Sequence, residues 1–184
     1  MKILITGHTS RVGTVLVEHL EKNHELIKVS RSTGYDLTVK EDRIRVIDES
    51  VSADCFFNLA NVGTSQTDLL FEVYQRWQSL GKAGKIISAG TLATAIPYEL
   101  LRQVSQDTSM VANKLALEKM HNELAFKVIF GKHVQSILIR FANFGERASD
   151  RSQEPYTTNE QLIEIIDFVL NSSSYISSID FRTV

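Results

Sequence analysis

The sequence predicts a doubly wound α/β domain, a parallel sheet with helices on both faces in three layers. Short apolar runs alternate with amphipathic helical stripes along the chain, which is the pattern of repeated strand–helix–strand units. A glycine-bearing loop lies directly between the first such run and the first stripe, where an α/β sheet places ligand-binding turns. The size fits one domain: 184 residues with two prolines, no low-complexity segment and no internal repeat give one unit over 1–184.

The elements follow in order. Lys2–Thr6 is a compact apolar strand, and Val12, Leu16 and Leu20 make the stripe of the helix behind it. Glu25–Ser30 is the second strand, followed by a short helical stripe of Ile44, Ile47 and Val51. Asp54–Ala60 is apolar and strand-like, and Leu69, Leu70, Val73, Trp77 and Leu80 define a third helix. Lys85–Ala89 is a further strand. A long helix starts near Asp107–Ser109, whose side chains suit free N–H groups, and runs through Val111, Leu115 and Leu124 to about Lys127. Ser136–Phe141 is the next strand. Thr158 and Gln161 form a capping box for a helix carrying Leu162, Ile166 and Leu170, and Tyr175–Phe181 is the last strand.

Composition excludes several functions. A net charge of −2 and a pI near 6.2 give no basic field for nucleic acid. One cysteine, Cys55, excludes an internal disulfide and fits a reducing compartment. No stretch approaches the ~20 apolar residues that span a bilayer, and the apolar start at Met1 breaks too early for a signal peptide. The expectation is a cytoplasmic protein without a membrane or nucleic-acid partner. The histidines His8, His19, His24, His121 and His133 show no paired metal spacing, so no metal site is expected and they read as surface or loop residues. Of these, His8 alone falls in the glycine loop. Cys55, Trp77, Phe71 and Phe126 read as core or helix-interface residues.

The loop reads Thr6-Gly7-His8-Thr9-Ser10-Arg11-Val12-Gly13. Glycines there permit a tight turn and close backbone approach, and the helix N-terminus receives a pyrophosphate. A glycine pair after a strand also makes a plain tight turn. The middle glycine of either common spacing is replaced, by Ser10 in one alignment and by Arg11 in the other. A side chain there crowds the pyrophosphate, unless Arg11 reaches out to pair with it. The second strand ends in Arg31-Ser32 rather than an acid, which favours the 2′-phosphate of NADP over the ribose hydroxyls of NAD. Asp36-Leu37 and Asn58-Leu59-Ala60-Asn61 follow their strands, and alone would be turn and cap residues.

Together these pieces resemble the short-chain dehydrogenase/reductase family over essentially the whole chain. Thr6-Gly7…Gly13 resembles its cofactor loop, Asp36 its aspartate near the adenine, and Asn58-Leu59-Ala60-Asn61 its Asn-Asn-Ala-Gly motif with two of four positions kept. Ile86-Ile87-Ser88-Ala89-Gly90-Thr91 is similar to its serine-ending strand, and Arg140–Gly145 occupies the place of its Pro-Gly segment. The resemblance implies a Rossmann-like fold and a nucleotide cofactor held by Gly7, Thr9, Ser10, Arg11, Val12, Gly13, Arg31, Ser32, Asp36, Leu37, Asn58, Leu59, Ala60 and Lys114. It also implies a homodimer or homotetramer, pairing through the lysine helix and its neighbour.

In that family a tyrosine and a lysine four residues on share one helix face. The matching stretch here is Met110-Val111-Ala112-Asn113-Lys114, with Met110 in place of the tyrosine. A thioether has no proton to give. Thr91 best matches the serine, and the family's helical asparagine has no aligned counterpart. Tyr98, with Arg102 four residues on, imitates the pattern but precedes the long helix and reads as a loop aromatic. Gly145–Tyr156 stands where the family keeps its substrate lid, and its polar, short character suggests a small or polar substrate, or none. The expected function is an NADP(H)-dependent oxidoreductase on a carbonyl/alcohol pair, with Lys114 and Thr91 as catalytic residues. The alternatives are a dinucleotide-binding sensor or partner-binding module without catalysis, and a scaffold that has lost the cofactor and acts through its dimer surface.

Overall fold

A computed structural model of the chain describes residues 1–95, 108–128, 133–141, 143–144 and 156–181. Its centre is a six-stranded parallel sheet of β1 (Lys2–Thr6), β2 (Glu25–Val29), β3 (Cys55–Asn58), β4 (Gly84–Thr91), β5 (Val134–Phe141) and an edge strand, β8 (Ser178–Phe181), in the order β2-β1-β3-β4-β5-β8. A minor parallel pair, β6 (Asn143–Phe144) and β7 (Tyr156–Thr157), stands apart from it. The chain leaves β1 for β2 on one side and later returns to its other side as β3. Strand order therefore reverses between β1 and β3, and the crevice above that point is where such sheets bind ligands.

The period-2 geometry of buried strands sorts the core into two clusters. Leu4, Phe56, Ile86 and Leu138 face one side, where α2 (Lys40–Ser50), α3 (Ser65–Ser79) and α4 (Thr108–Val128) deliver Val46, Leu70, Trp77, Leu117 and Leu124. Ile3, Ile5, Phe57, Ile87 and Ile139 face the other, against Leu16 and Leu20 of α1 (Arg11–Leu20) and Leu162, Ile166 and Val169 of α5 (Asn159–Asn171). The result is the expected three-layer α/β/α arrangement.

Local signals set the element ends. The Ser10 hydroxyl accepts the Gly13 N–H and starts α1, and Thr158 and Gln161 cap α5 reciprocally as their spacing predicts. Ser30 does not extend β2 but caps a 3-10 turn over Arg31–Thr33, because its hydroxyl competes for backbone N–H groups. Similar trimming shortens the third strand to Cys55–Asn58 and the last to Ser178–Phe181, whereas β4 and β5 run longer than their apolar cores suggest.

Several side chains correct the sequence reading. His121 is buried rather than at the surface, because α4 turns it onto Ser136 of β5, whose hydroxyl it meets. Phe71 and Phe126 are not core residues: they are 38% and 70% exposed on the outer faces of α3 and α4. Ile44, Leu80 and Leu115 also point outward from their helices, while Trp77 and Cys55 are buried as expected. Asp107, Tyr98, Arg102 and residues 145–155 of the lid segment lie outside the described residues.

Candidate functional site

The site is built from the loops at the carboxyl ends of β1, β3 and β4. Gly7 turns the chain out of β1 with φ of +69°, a conformation that favours glycine, and a Cβ there would lie 2.8 Å from the Ala60 nitrogen. Gly13 sits in α1 where a Cβ would lie 2.3 Å from the Gly7 carbonyl oxygen. Both positions therefore exclude any side chain, and the loop closes tightly on the β3 turn. Thr6 seals that junction, its hydroxyl donating to Phe57 O and accepting the N–H of Leu59 at 3.2 Å.

This arrangement passes the test for a dinucleotide in one respect and modifies it in another. The glycines, the strand-order reversal and the first turn of α1 make the cradle that a pyrophosphate needs. Ser10 takes the Gly13 N–H at 3.0 Å, so one first-turn donor is already spent, while the Val12 N–H has no acceptor among the described residues. Ser10 and Thr9 are exposed at the loop surface, as is Arg11. His8 is half-buried with a partnerless, buried Nδ1.

Arg31 stands exposed at the end of β2, and its charge helps hold the carboxyl of Asp36 below the usual range, after the dominant hydrogen bonds from Thr38. Those bonds, 2.9 Å from the Thr38 N–H and 2.7 Å from its hydroxyl, occupy one Asp36 oxygen. Ser32 pairs with Ser30 at 2.7 Å. Leu37, Asn58 and Leu59 are buried, so they form walls and supports beneath the crevice rather than its open surface. Leu37 O also accepts the Ser65 hydroxyl at 2.8 Å, tying this loop to the start of α3.

On the other side of the crevice, α4 places Met110 and Lys114 one turn apart on one face. Lys114 is 7% exposed, and its Nζ donates to Gln66 Oε1 at 2.6 Å and Ala89 O at 2.7 Å. Burial lowers its pKa to about 8. Gln66 in turn donates to Asn58 O at 2.6 Å, and Asn58 Nδ2 returns a bond to Gln66 O at 2.7 Å. Sequence reasoning missed Gln66. Its signal was a polar residue in the first turn of a helix directly after a strand-end asparagine, too common a combination to single it out. Thr91 ends β4, where its hydroxyl oxygen accepts the Ala93 N–H at 3.2 Å and keeps its own proton to donate.

The site thus brings together Gly7, Gly13, Asn58, Ala60 and, through Gln66 and Ala89, Lys114. Arg31, Ser32 and Asp36 form a separate polar rim at β2. Among the described residues no group of His, Cys, Asp and Glu is arranged to hold a metal, and no helix is long and apolar enough to cross a membrane.

Fold and crevice define the class of architecture: the chain has a Rossmann-like α/β fold, similar to that of solved short-chain dehydrogenases. More narrowly, residues 3–76 match the NAD dependent epimerase/dehydratase family. The structure is similar to 3-alpha-hydroxysteroid dehydrogenase from Pseudomonas sp. B-0831 complexed with NADH, at TM-score 0.75 and 18% identity, covering 98% of this chain and 95% of that one. It is also similar to UDP-N-acetylglucosamine 4-epimerase from Bacillus cereus, at TM-score 0.71 and 17% identity, covering 100% of this chain and 78% of that one. A short chain dehydrogenase from Leptospira borgpetersenii with bound NAD+ gives TM-score 0.71 at 15% identity, covering 98% and 89%. No curated protein sequence matches the chain.

Proposed function

We propose that the protein is an NADP(H)-dependent oxidoreductase acting on a carbonyl/alcohol pair of a small molecule. The observation that carries this reading is the loop of residues 7–13 at the strand-order reversal, in which two glycines have no room for a Cβ, Gly7 closing on Ala60 and Gly13 on Gly7 and His8. Gly7, Ser10, Arg11, Val12 and Gly13 hold the pyrophosphate, and Asn58, Leu59 and Ala60 wall the adenosine side. Arg31 and Ser32 take the 2′-phosphate, and Lys114 takes the ribose next to the nicotinamide. When bound, the reduced nicotinamide supplies a hydride. Thr91 donates a hydrogen bond to the substrate oxygen and orients it. The neighbours with NADH and NAD+ support a nicotinamide dinucleotide, and Arg31 turns the reading toward the phosphorylated form.

Arg31→Asp tests the preference. The expected result is a fall in NADPH affinity of tenfold or more with NADH affinity held or improved; equal losses for both would remove Arg31 from the phosphate site. A second reading, a dinucleotide-binding protein without catalysis, is favoured by Met110 at the expected tyrosine position. We also propose self-association across α3 and α4, supported by Phe71, Leu115 and Phe126 standing exposed on those helices. Sedimentation that gives only monomer at micromolar protein would exclude it.

A further inference from the structure

We propose that Lys114 itself gives the proton to the substrate oxygen in the carbonyl reduction assigned above, and that Gln66 is the positioning residue that aims it. The inference rests on that functional reading and goes beyond it, since there Lys114 only holds the ribose.

The first support is the hydrogen-bond geometry. The Gln66 amide nitrogen donates to Asn58 O at 2.6 Å and Ala89 O at 3.3 Å, so its orientation is fixed by two carbonyls and its oxygen must face the lysine. That oxygen and Ala89 O take two donors of the ammonium. An ammonium has three, and the third is left for an oxygen arriving in the crevice.

The second support is chemical. Met110, one turn away on the same helix face, has no proton to give, and the Thr91 hydroxyl is too weak an acid to release one. Burial is the one cause that moves the Lys114 pKa, and its ammonium is bonded to neutral oxygens. Gln66 of α3 and the Ala89 carbonyl of β4 contact Lys114, while Asn58 of β3 bonds to Gln66 and to Ser88 of β4. Further along α3, Asp68 is bonded to the Thr64 hydroxyl, and Glu72 has a buried carboxylate oxygen without a hydrogen-bond partner among the described residues. On α4, Glu118 is paired with Arg140 of β5, which also holds Asp180 of β8, and His121 is kept neutral by burial. Lys114 is therefore tuned by loss of water alone, which brings it near the pH at which a proton is both held and released efficiently.

The step balances. As the carbonyl carbon accepts the hydride, its π pair moves to oxygen. One Nζ–H bond of Lys114 breaks and the proton joins that oxygen, giving the alcohol. The two electrons come from the reduced nicotinamide, and the neutral Lys114 amine takes a proton from solvent for the next cycle.

The test starts from the apo-protein. Lysine labelled with 13C at the ε-carbon is titrated by NMR, the Lys114 resonance being the one missing from Lys114→Met. A midpoint near 8 is expected, moving down by about one unit in Gln66→Leu, which removes an acceptor from the charged form, and up in Gln66→Glu, which places a carboxylate there. The wild-type pH–rate profile for NADPH-dependent reduction across an aldehyde and ketone panel should break at the same midpoint, and the break should follow the two Gln66 variants. Lys114→Arg, which stays charged at all working pH, should lose at least a hundredfold in turnover and abolish the pH break. An ordinary lysine midpoint, or a pH break that ignores Gln66, overturns this inference while leaving the oxidoreductase reading intact. Failure of wild type to bind NADPH, or to reduce any carbonyl while binding it, overturns both.

Discussion

Placing a methyl group at Gly13 separates a loop built for close approach from an ordinary turn. In Gly13→Ala the new Cβ would lie 2.3 Å from Gly7 O, 2.7 Å from His8 Cα and 2.8 Å from His8 C, about 0.6–1.1 Å short of the 3.4 Å where ordinary contact begins. All three obstacles are backbone, so no side chain can swing aside and the loop must move off α1. Overpacking of this kind costs ~3 kcal/mol, the upper end of its usual range. For a chain of this length that lowers Tm by about 6–12 °C. Gly34 is the control, with φ of +84° and nothing within 4 Å of a Cβ, so Gly34→Ala carries backbone strain alone, ~1 kcal/mol and about 2–4 °C. Differential scanning calorimetry reads both, and titration with NADPH should show at least a tenfold loss for Gly13→Ala and none for Gly34→Ala. Equal melting of the two variants, or full NADPH affinity in Gly13→Ala, would refute the claim that this contact shapes the binding loop.

Three further outcomes follow from other parts of the molecule. Burial lowers the His121 pKa to about 3, so below its unfolded value near 6.5 the unfolded chain binds a proton that the native state does not. Stability should fall as pH drops through that window, by ~2 kcal/mol at pH 5, and denaturant titrations of His121→Gln should lack this dependence. Lys85 donates to Val169 O at 2.7 Å, Leu170 O at 2.9 Å and Ser172 O at 2.8 Å, satisfying the carboxyl end of α5. Lys85→Met should cost ~2 kcal/mol and lower Tm by about 4–8 °C, and an unchanged Tm would show that water replaces the ammonium there. Met110→Tyr should create or raise carbonyl reductase turnover, because it restores an acidic hydroxyl one turn before Lys114; a folded, NADPH-binding variant with no gain across a broad panel would favour the non-catalytic reading.

The layers were legible because buried parallel strands and amphipathic helices write strong, separate periods: Leu4 and Ile5 face opposite clusters, as a period of two requires. Glycines at 7 and 13 were legible for the same kind of reason, since their spacing between a strand and a helix has few uses. What the sequence hides is direction at the ends of long side chains. Lys114 was marked by its position, but its bonds to Gln66 Oε1 and Ala89 O depend on how α3 and α4 pack, which no local pattern encodes. Lys85 was hidden likewise, because its partners on α5 are 84 to 87 residues away in the chain. Phe126 misled for the opposite reason: a large aromatic within a helix suggests burial, yet α4 turns it outward.

The central claim is that the crevice between β1 and β3 binds a phosphorylated nicotinamide dinucleotide. Isothermal titration calorimetry of the purified protein with NADPH and with NADH tests it directly. NADPH should bind in the micromolar range, about −8 kcal/mol, with NADH weaker. Absence of binding by either would mean that Ser10 and Arg11 close the phosphate site, and would contradict it.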